Sequence, residues 1–123
     1  MRLKIIINLF FVFSVICTAQ EITNVQVLPF DKKKDIMKYM KKTVSKSLGV
    51  KCKFCHNIKD YSDDSNPHKL VAREMMRMVE SMNTHLDSAF TAGKKAGMTD
   101  WNNLPKVECW VCHKSTTDVE FQK

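Results

Sequence analysis

Glycine and proline are scarce in this sequence of 123 residues, with three of each. A β-rich fold with many tight turns needs more of both, so we expect helices instead. The longest nearly unbroken apolar run, residues 5–16, falls short of the about 20 residues that span a bilayer. Sulfur is plentiful, with eight methionines and five cysteines. The composition predicts one small all-α domain in which sulfur atoms have a chemical role.

The N-terminal segment has the features of a secretory signal. Arg2 and Lys4 precede the apolar run, and Cys17-Thr18-Ala19 offers small residues to a signal peptidase. We expect cleavage after Ala19 and a periplasmic or otherwise exported protein, the alternatives being a retained anchor or a lipidated Cys17. The predicted organisation is a signal peptide (1–19), an extended N-terminal arm (20–30) and one domain (31–123).

Four cysteines remain after this cleavage, in two CxxC pairs. An even number of cysteines in a small exported protein usually forms disulfides. Here, however, each pair is followed directly by a histidine, which a disulfide does not require. The two motifs are Cys52-Lys53-Phe54-Cys55-His56 and Cys109-Trp110-Val111-Cys112-His113.

The CxxCH spacing suits covalent haem attachment. On a helical turn, positions i and i+3 share one face, and position i+4 lies beside them. Two thiols can therefore add to the two vinyl groups of a haem while the histidine ligates the iron. Zinc ribbons also use CxxC pairs, but those pairs are usually about 15–20 residues apart, closer than these two. A redox CxxC needs no following histidine, so the sequence predicts two covalently bound haems c.

Apolar residues at helical spacing predict two amphipathic helices. The first runs from Asp31 to Gly49, where glycine is expected to form a left-handed cap. The second runs from about His68 to Ala92 and should be broken by Gly93 and Gly97. The loop 60–67 separates them, and short helices should carry each CxxCH. This arrangement forms a weak repeat, a methionine-bearing helix followed by CxxCH, and predicts two such units packed around two haems.

The segments 40–57 and 71–83, followed by a second CxxCH, resemble the photosynthetic reaction centre cytochrome c subunit family. The four-haem subunit of that family is built from two-haem halves, and residues 25–113 resemble one half. The resemblance implies that the sixth iron ligand is a methionine on the helix before each CxxCH. By motif position these are Met40 for the first haem and Met75 for the second. It implies an electron carrier of this architecture and does not imply photosynthesis.

Other methionines and histidines compete for these positions. Met37 shares a helical face with Met40, and Met76 falls on the side of Glu80, Asn83 and Asp87, which makes Met75 the inward residue of that pair. Further alternatives for the second haem are Met78, Met82 and Met98. The neighbours of His68 and His85 are polar, so both are expected at the surface.

The positive charge has two interpretations. Loss of segment 1–19 removes two basic residues and no acidic ones, which lowers the formal net charge from +7 to +5. Four haem propionates would offset most of the remainder, and Arg73 and Arg77 are candidates to pair with them. Nucleic acid is therefore a poor partner. A lysine-rich first helix can instead attract an acidic redox protein, or it is simply a solvated face.

These features favour an outer-sphere electron carrier over an enzyme. A thioether and an imidazole on each iron would leave no position for a substrate. A small dihaem peroxidase-like enzyme would need an open or displaceable sixth position. A haem sensor, or a haem subunit docked to a larger membrane-associated respiratory complex, is the other alternative.

Overall fold

The computed structural model describes residues 22–98 and 106–119, and within these ranges all regular structure is helical. The predicted all-α class is confirmed there. The predicted signal peptide, with Cys17 and Ala19, lies outside the described residues. No helix in the described ranges is both long enough and apolar enough to span a membrane. The elements are α1 (Lys33–Tyr39), a π-helical turn (Met40–Val44), α2 (Ser45–Leu48), a 3-10 helix (Cys52–Phe54), α3 (Pro67–Lys95) and α4 (Cys109–His113).

The first predicted helix is one continuous helical segment made of α1, the π-helical turn and α2. Gly49 ends it with φ 68°, the left-handed conformation expected of a glycine cap. The π-helical turn begins at Met40 and was not predicted, because side-chain periodicity carries no signal for a single wider turn. Such turns are rare and are often found at functional sites.

Helix α3 begins as its sequence indicates and ends later than predicted. The side chain of Asn66 accepts a hydrogen bond from the His68 backbone N–H, and Pro67 occupies the first turn. The prediction that Gly93 breaks the helix is wrong, since α3 continues to Lys95. Glycine inside a helix costs only about 1 kcal/mol relative to alanine, which the surrounding turns can absorb. The left-handed glycine is Gly97, with φ 86°.

The two CxxCH motifs each form a short helix, as predicted. The first is the 3-10 helix with the turn that follows it, and the second is α4. Helix α4 packs against α2, and the backbone N–H of Ser115 donates to the Ser47 carbonyl oxygen at 2.8 Å. The hydroxyl of Ser115 also donates to the Lys46 carbonyl oxygen at 3.1 Å. The end of the second motif is therefore held by the helix that precedes the first.

No hydrophobic side chain is buried in the described part of the chain. The buried residues there are Ser47, Lys69 and Arg73. Apolar side chains of the helices instead line a cavity between α1, the arm and α3, or remain exposed. In a protein this small, such an arrangement leaves helix–helix packing with little hydrophobic stabilisation of its own.

Candidate functional site

The first CxxCH motif opens onto a cavity of about 310 Å³. Such a volume lies at the lower end of the range for small-molecule and cofactor sites. Cys52, Cys55 and His56 line it from the motif, while Met40 lines it from the helical segment that precedes the motif. The structure thus brings together all four residues predicted for the first site.

Met40 is half-buried and stands where α1 passes into the π-helical turn. Met37, one turn earlier, also lines the cavity. Met37 and Met40 therefore share a face, as predicted. Met40 is the closer of the two to the CxxCH motif along the chain. The wider turn changes the direction of the residues that follow it, and Val44 and Ser45 still line the same cavity.

His56 is half-buried, and its Nδ1 atom has no hydrogen-bond partner within the described residues. Burial lowers the pKa of His56, and the charges of Lys69 and Arg73 lower it further. The imidazole is therefore held in the neutral form, which keeps a nitrogen lone pair available to a metal. A neutral imidazole beside two thiols and a thioether is a donor set that suits haem iron with covalent attachment.

An ionic cluster with two buried cations and a partly exposed carboxylate borders the same cavity. Lys69 donates to the Tyr61 and Asp63 carbonyl oxygens at 2.9 and 2.8 Å and forms an ion pair with Asp64 at 2.8 Å. Arg73 pairs with Asp64 at 2.9 Å and donates to the Asn24 carbonyl oxygen at 3.2 Å.

Neither arginine suggested for propionate binding is free of protein partners. Arg73 is engaged with Asp64 and Asn24, and Arg77 pairs with Glu74 on the outside of α3. Sequence analysis did not identify Lys69 as a site residue. No local signal distinguishes this lysine from the other basic residues of α3, since only the fold turns it inward.

The second CxxCH motif is held by contacts at both ends. The His113 Nδ1–H donates to the Thr116 carbonyl oxygen at 3.0 Å, so in the neutral imidazole Nε2 is the nitrogen that can ligate a metal. Cys109 is half-buried and lies near the Tyr39 side chain, whereas Cys112 is exposed. Burial is the main cause of the raised pKa of both Tyr39 and Cys109. Tyr39 thus links the α1 helix to the second motif.

Asn83 fixes the chain just before the second motif. Its side chain donates to the Val107 carbonyl oxygen at 2.9 Å and accepts from the Val107 N–H at 2.8 Å. The sequence predicts Asn83 on the outer polar side of α3 together with Met76, and this prediction is wrong. The amide faces inward because it satisfies both backbone groups of one residue, a long-range pairing that no local pattern reveals.

The same rotation of α3 changes the position of its methionines. The least exposed face is a stripe at helical spacing that includes polar residues: Lys69, Ala72, Arg73, Met76, Val79, Asn83, Leu86, Phe90 and Gly93. Met76 therefore lines the first cavity, contrary to the outward position expected for it. The methionines of the predicted apolar stripe, together with Met98, are exposed: Met75, Met78, Met82 and Met98. His68 and His85 are exposed, as predicted.

The competing interpretations of the cysteines receive no geometric support. All four cysteines of the two motifs are free thiols. Within the described residues, no group of three or more His, Cys, Asp or Glu side chains is arranged to hold a metal ion. The two motifs lie on separate short helices. The residues present fit haem c attachment better than a disulfide or a zinc ribbon.

Comparison with known proteins agrees with this donor set. Residues 14–119 match the family model described as the photosynthetic reaction centre cytochrome C subunit. Cytochrome c-554 of Chloroflexus aurantiacus is 35% identical over 92 residues, which cover 75% of this chain and 20% of that protein. The chain thus spans about a fifth of the length of this curated relative. No solved structure matches. The chain belongs to the photosynthetic reaction centre cytochrome c subunit family.

Proposed function

We propose that the protein is an exported c-type cytochrome with two covalently bound haems that carries electrons by outer-sphere transfer. The observation that carries this proposal is the first cavity, where both thiols and the imidazole of one CxxCH meet the thioether of Met40. Membership of a cytochrome c family supports haem c as the cofactor. When bound, haem supplies an iron that cycles between ferric and ferrous states.

In the first site, Cys52 and Cys55 would attach the porphyrin, and His56 and Met40 would supply an imidazole and a thioether to its iron. A thioether opposite a histidine favours the reduced state and raises the potential. The lowered pKa of His56 favours the neutral imidazole, which is the form that binds iron. Met37 and Met76 then serve as apolar walls of the same cavity.

In the second site, Cys109 and Cys112 would attach the porphyrin and His113 would supply an imidazole to its iron. The His113 Nδ1–H bond to Thr116 orients the imidazole and leaves the other nitrogen for iron. Met75 is proposed as the sixth ligand on the family resemblance. The Met75 side chain is 44% exposed, so the rest of the protein covers it only in part.

An electron-carrying role is better supported than the alternatives. A peroxidase-like enzyme needs an iron whose sixth position is open to peroxide. Met40 lines the first cavity, where its thioether would occupy that position. A haem sensor or a subunit of a membrane-associated respiratory complex would use the same ligands. We favour soluble or docked redox proteins as donor and acceptor, and the lysine-rich helix as the surface that meets one of them.

Mass spectrometry of the purified holoprotein tests this function. We expect a chain that begins at Gln20 and carries two haem masses. Cys52→Ala should weaken or abolish attachment at the first site alone, and Cys109→Ala at the second site alone.

A Cys17→Ala variant with unchanged processing would argue against lipidation. Zinc without haem, or a single haem, would contradict the proposal.

A further inference from the structure

The buried charges of the described residues are concentrated at the first site. Lys69 and Arg73 are 7% and 8% exposed, and both line the cavity together with His56. Their one carboxylate partner is Asp64. Their remaining hydrogen bonds go to backbone carbonyl oxygens, which are neutral. The cluster of Asp64, Lys69 and Arg73 therefore has two positive charges and one negative charge.

The other charged groups around this cavity do not reverse that sign. Lys33, Lys41 and Lys51 also line it, and Asp60 is the lining carboxylate. These four side chains are exposed, so water and salt screen them. Asp63, in the adjoining loop, is engaged with Asn57 and the Ser65 N–H. The least screened charges next to His56 are therefore the two buried cations, Lys69 and Arg73, which share the single carboxylate of Asp64.

The second motif has no comparable cluster among the described residues. Its neighbouring charges are Lys106, Glu108, Lys114 and Asp118, and all four are exposed. Glu108 directly precedes Cys109, and its charge is close enough to raise the pKa values of Cys109 and Tyr39. The charge nearest the attachment cysteine is thus negative and screened by solvent.

We infer that the Asp64–Lys69–Arg73 cluster holds the first haem at the higher potential, so that an electron entering at the second haem comes to rest at the first. The effect is electrostatic, because ferric haem carries one more positive charge than ferrous haem. A buried cation nearby disfavours the ferric form, and low local screening preserves this effect. This inference rests on the proposed dihaem function. It assigns a direction to transfer within the molecule.

A redox titration followed by absorption spectroscopy tests the inference on purified holoprotein and charge variants. Arg73→Gln removes one cation while leaving Lys69 to pair with Asp64. It should lower the higher of the two midpoints and leave the other unchanged. Arg73→Lys keeps the charge and should restore the original midpoint, which a purely structural role of the guanidinium would not do. Arg77→Gln removes an exposed charge from the same helix and should move neither midpoint.

Two further variants test the sign and assign the transitions. Asp64→Asn should raise the higher midpoint, because the cluster then has two uncompensated cations. Glu108→Gln should raise the lower midpoint by a smaller amount, which identifies that transition with the second haem. If Arg73→Gln does not fold, Lys69→Gln removes the same unit of charge, and Lys69→Arg is its control.

The outcomes separate this inference from the function on which it rests. A holoprotein mass with fewer than two haems would overturn the proposed function itself. With two haems present, a shift of the lower midpoint by Arg73→Gln would reverse the assigned order. Unchanged midpoints in both Arg73→Gln and Asp64→Asn would overturn the role of the cluster.

Discussion

Asn83, in the middle of α3, is joined to Val107 by two hydrogen bonds of 2.9 and 2.8 Å. Val107 lies two residues before Cys109, so this pairing connects the long helix to the start of the second attachment motif. The other end of that motif is held by Ser115, whose N–H donates to the Ser47 carbonyl oxygen. The second motif is thus positioned by residues from both long helical segments.

Removal of the Asn83 amide should destabilise this anchorage. We expect Asn83→Ala to lower the unfolding free energy of the holoprotein by about 1–3 kcal/mol, since two backbone groups lose their partner. Urea unfolding followed by circular dichroism measures this change. Thr84→Ala is the control, because the Thr84 hydroxyl bonds only to Glu80 within the same helix. Equal stability of the two variants would contradict the anchoring role.

The close approach of Gly49 to Ser115 gives a second prediction. A Cβ atom at Gly49 would collide with the Ser115 carbonyl oxygen, and the residue has φ 68°. Gly97 has φ 86° but open space around it. We expect Gly97→Ala to cost about 1–2 kcal/mol from the left-handed conformation alone. Gly49→Ala should cost clearly more, because Ser115 must also move. Thermal unfolding of both variants makes the comparison, and equal losses would argue against the contact.

The axial methionines can be separated by single replacements. Met40→Ala should convert the first haem to a high-spin form that binds carbon monoxide, and leave the second haem low-spin. Met75→Ala should give the same result at the second haem. Absorption and electron paramagnetic resonance spectra report both changes. Loss of the low-spin signal in Met98→Ala, with none in Met75→Ala, would show that the family position does not transfer.

Met37→Leu and Met76→Leu are the controls for these replacements. Both side chains line the first cavity, so leucine should keep it filled and leave both irons six-coordinate. Because Met76 lines the first cavity, any small spectral change in Met76→Leu should come from the first haem. A high-spin first haem in Met76→Leu would assign the thioether ligand to Met76 instead of Met40.

The acidic loop before α3 should make stability sensitive to acid. Hydrogen bonds from Arg73, Asn24 and Lys69 lower the pKa of Asp64 well below its usual range. The pKa of Asp60 and that of Asp63 are also lowered, chiefly by hydrogen bonds from Ser62 and from Asn57. A carboxyl group with a lower pKa in the folded state stabilises the fold above its unfolded pKa, about 3.9, and loses this contribution as pH falls further.

We therefore expect the unfolding midpoint in urea to fall gently below about pH 6.5, because the lowered pKa of His56 means that this residue takes up a proton on unfolding, and to fall steeply below about pH 4. Asp64→Asn should flatten part of this decline while lowering stability at pH 7. Glu74→Gln is the control, because Glu74 is exposed and pairs only with Arg77 one turn away. An acid decline of the same steepness in Asp64→Asn would contradict a role for this carboxylate.

The lysines of the first helical segment should govern association with an acidic redox protein. Those that are exposed are Lys32, Lys33, Lys34, Lys38, Lys41, Lys42 and Lys46. Stopped-flow reduction by an acidic flavodoxin-type donor should slow as salt is raised from 10 to 200 mM, since screening weakens long-range attraction. Reversal of Lys34 and Lys38 to glutamate should remove most of that dependence, because both are exposed and neither lines the first cavity. Reversal of Lys94 and Lys95, at the far end of α3, should have little effect.

Much of the fold and of the first site follows from local sequence. Helical spacing of apolar residues, the glycine at position 49 and the proline at position 67 determine where the helical segments begin and end, because these signals act within a few residues. The CxxCH motifs determine the attachment chemistry for the same reason, since both thiols and the imidazole lie within one helical turn. Family resemblance adds Met40, and the structure places it beside the first motif.

The face that α3 turns inward was decided only by the tertiary structure. Apolar periodicity points to the stripe of Met75, Met78 and Met82, but the helix buries Lys69 and Arg73 and directs Asn83 to Val107. Those polar groups face inward because Asp64, backbone carbonyls and the Val107 backbone satisfy them, and these partners are brought close only by the folded chain. A long-range hydrogen bond or ion pair leaves no periodic trace in the sequence. The sequence by itself thus determined the helices and the two motifs, whereas the fold decided which charges stand beside the first of them.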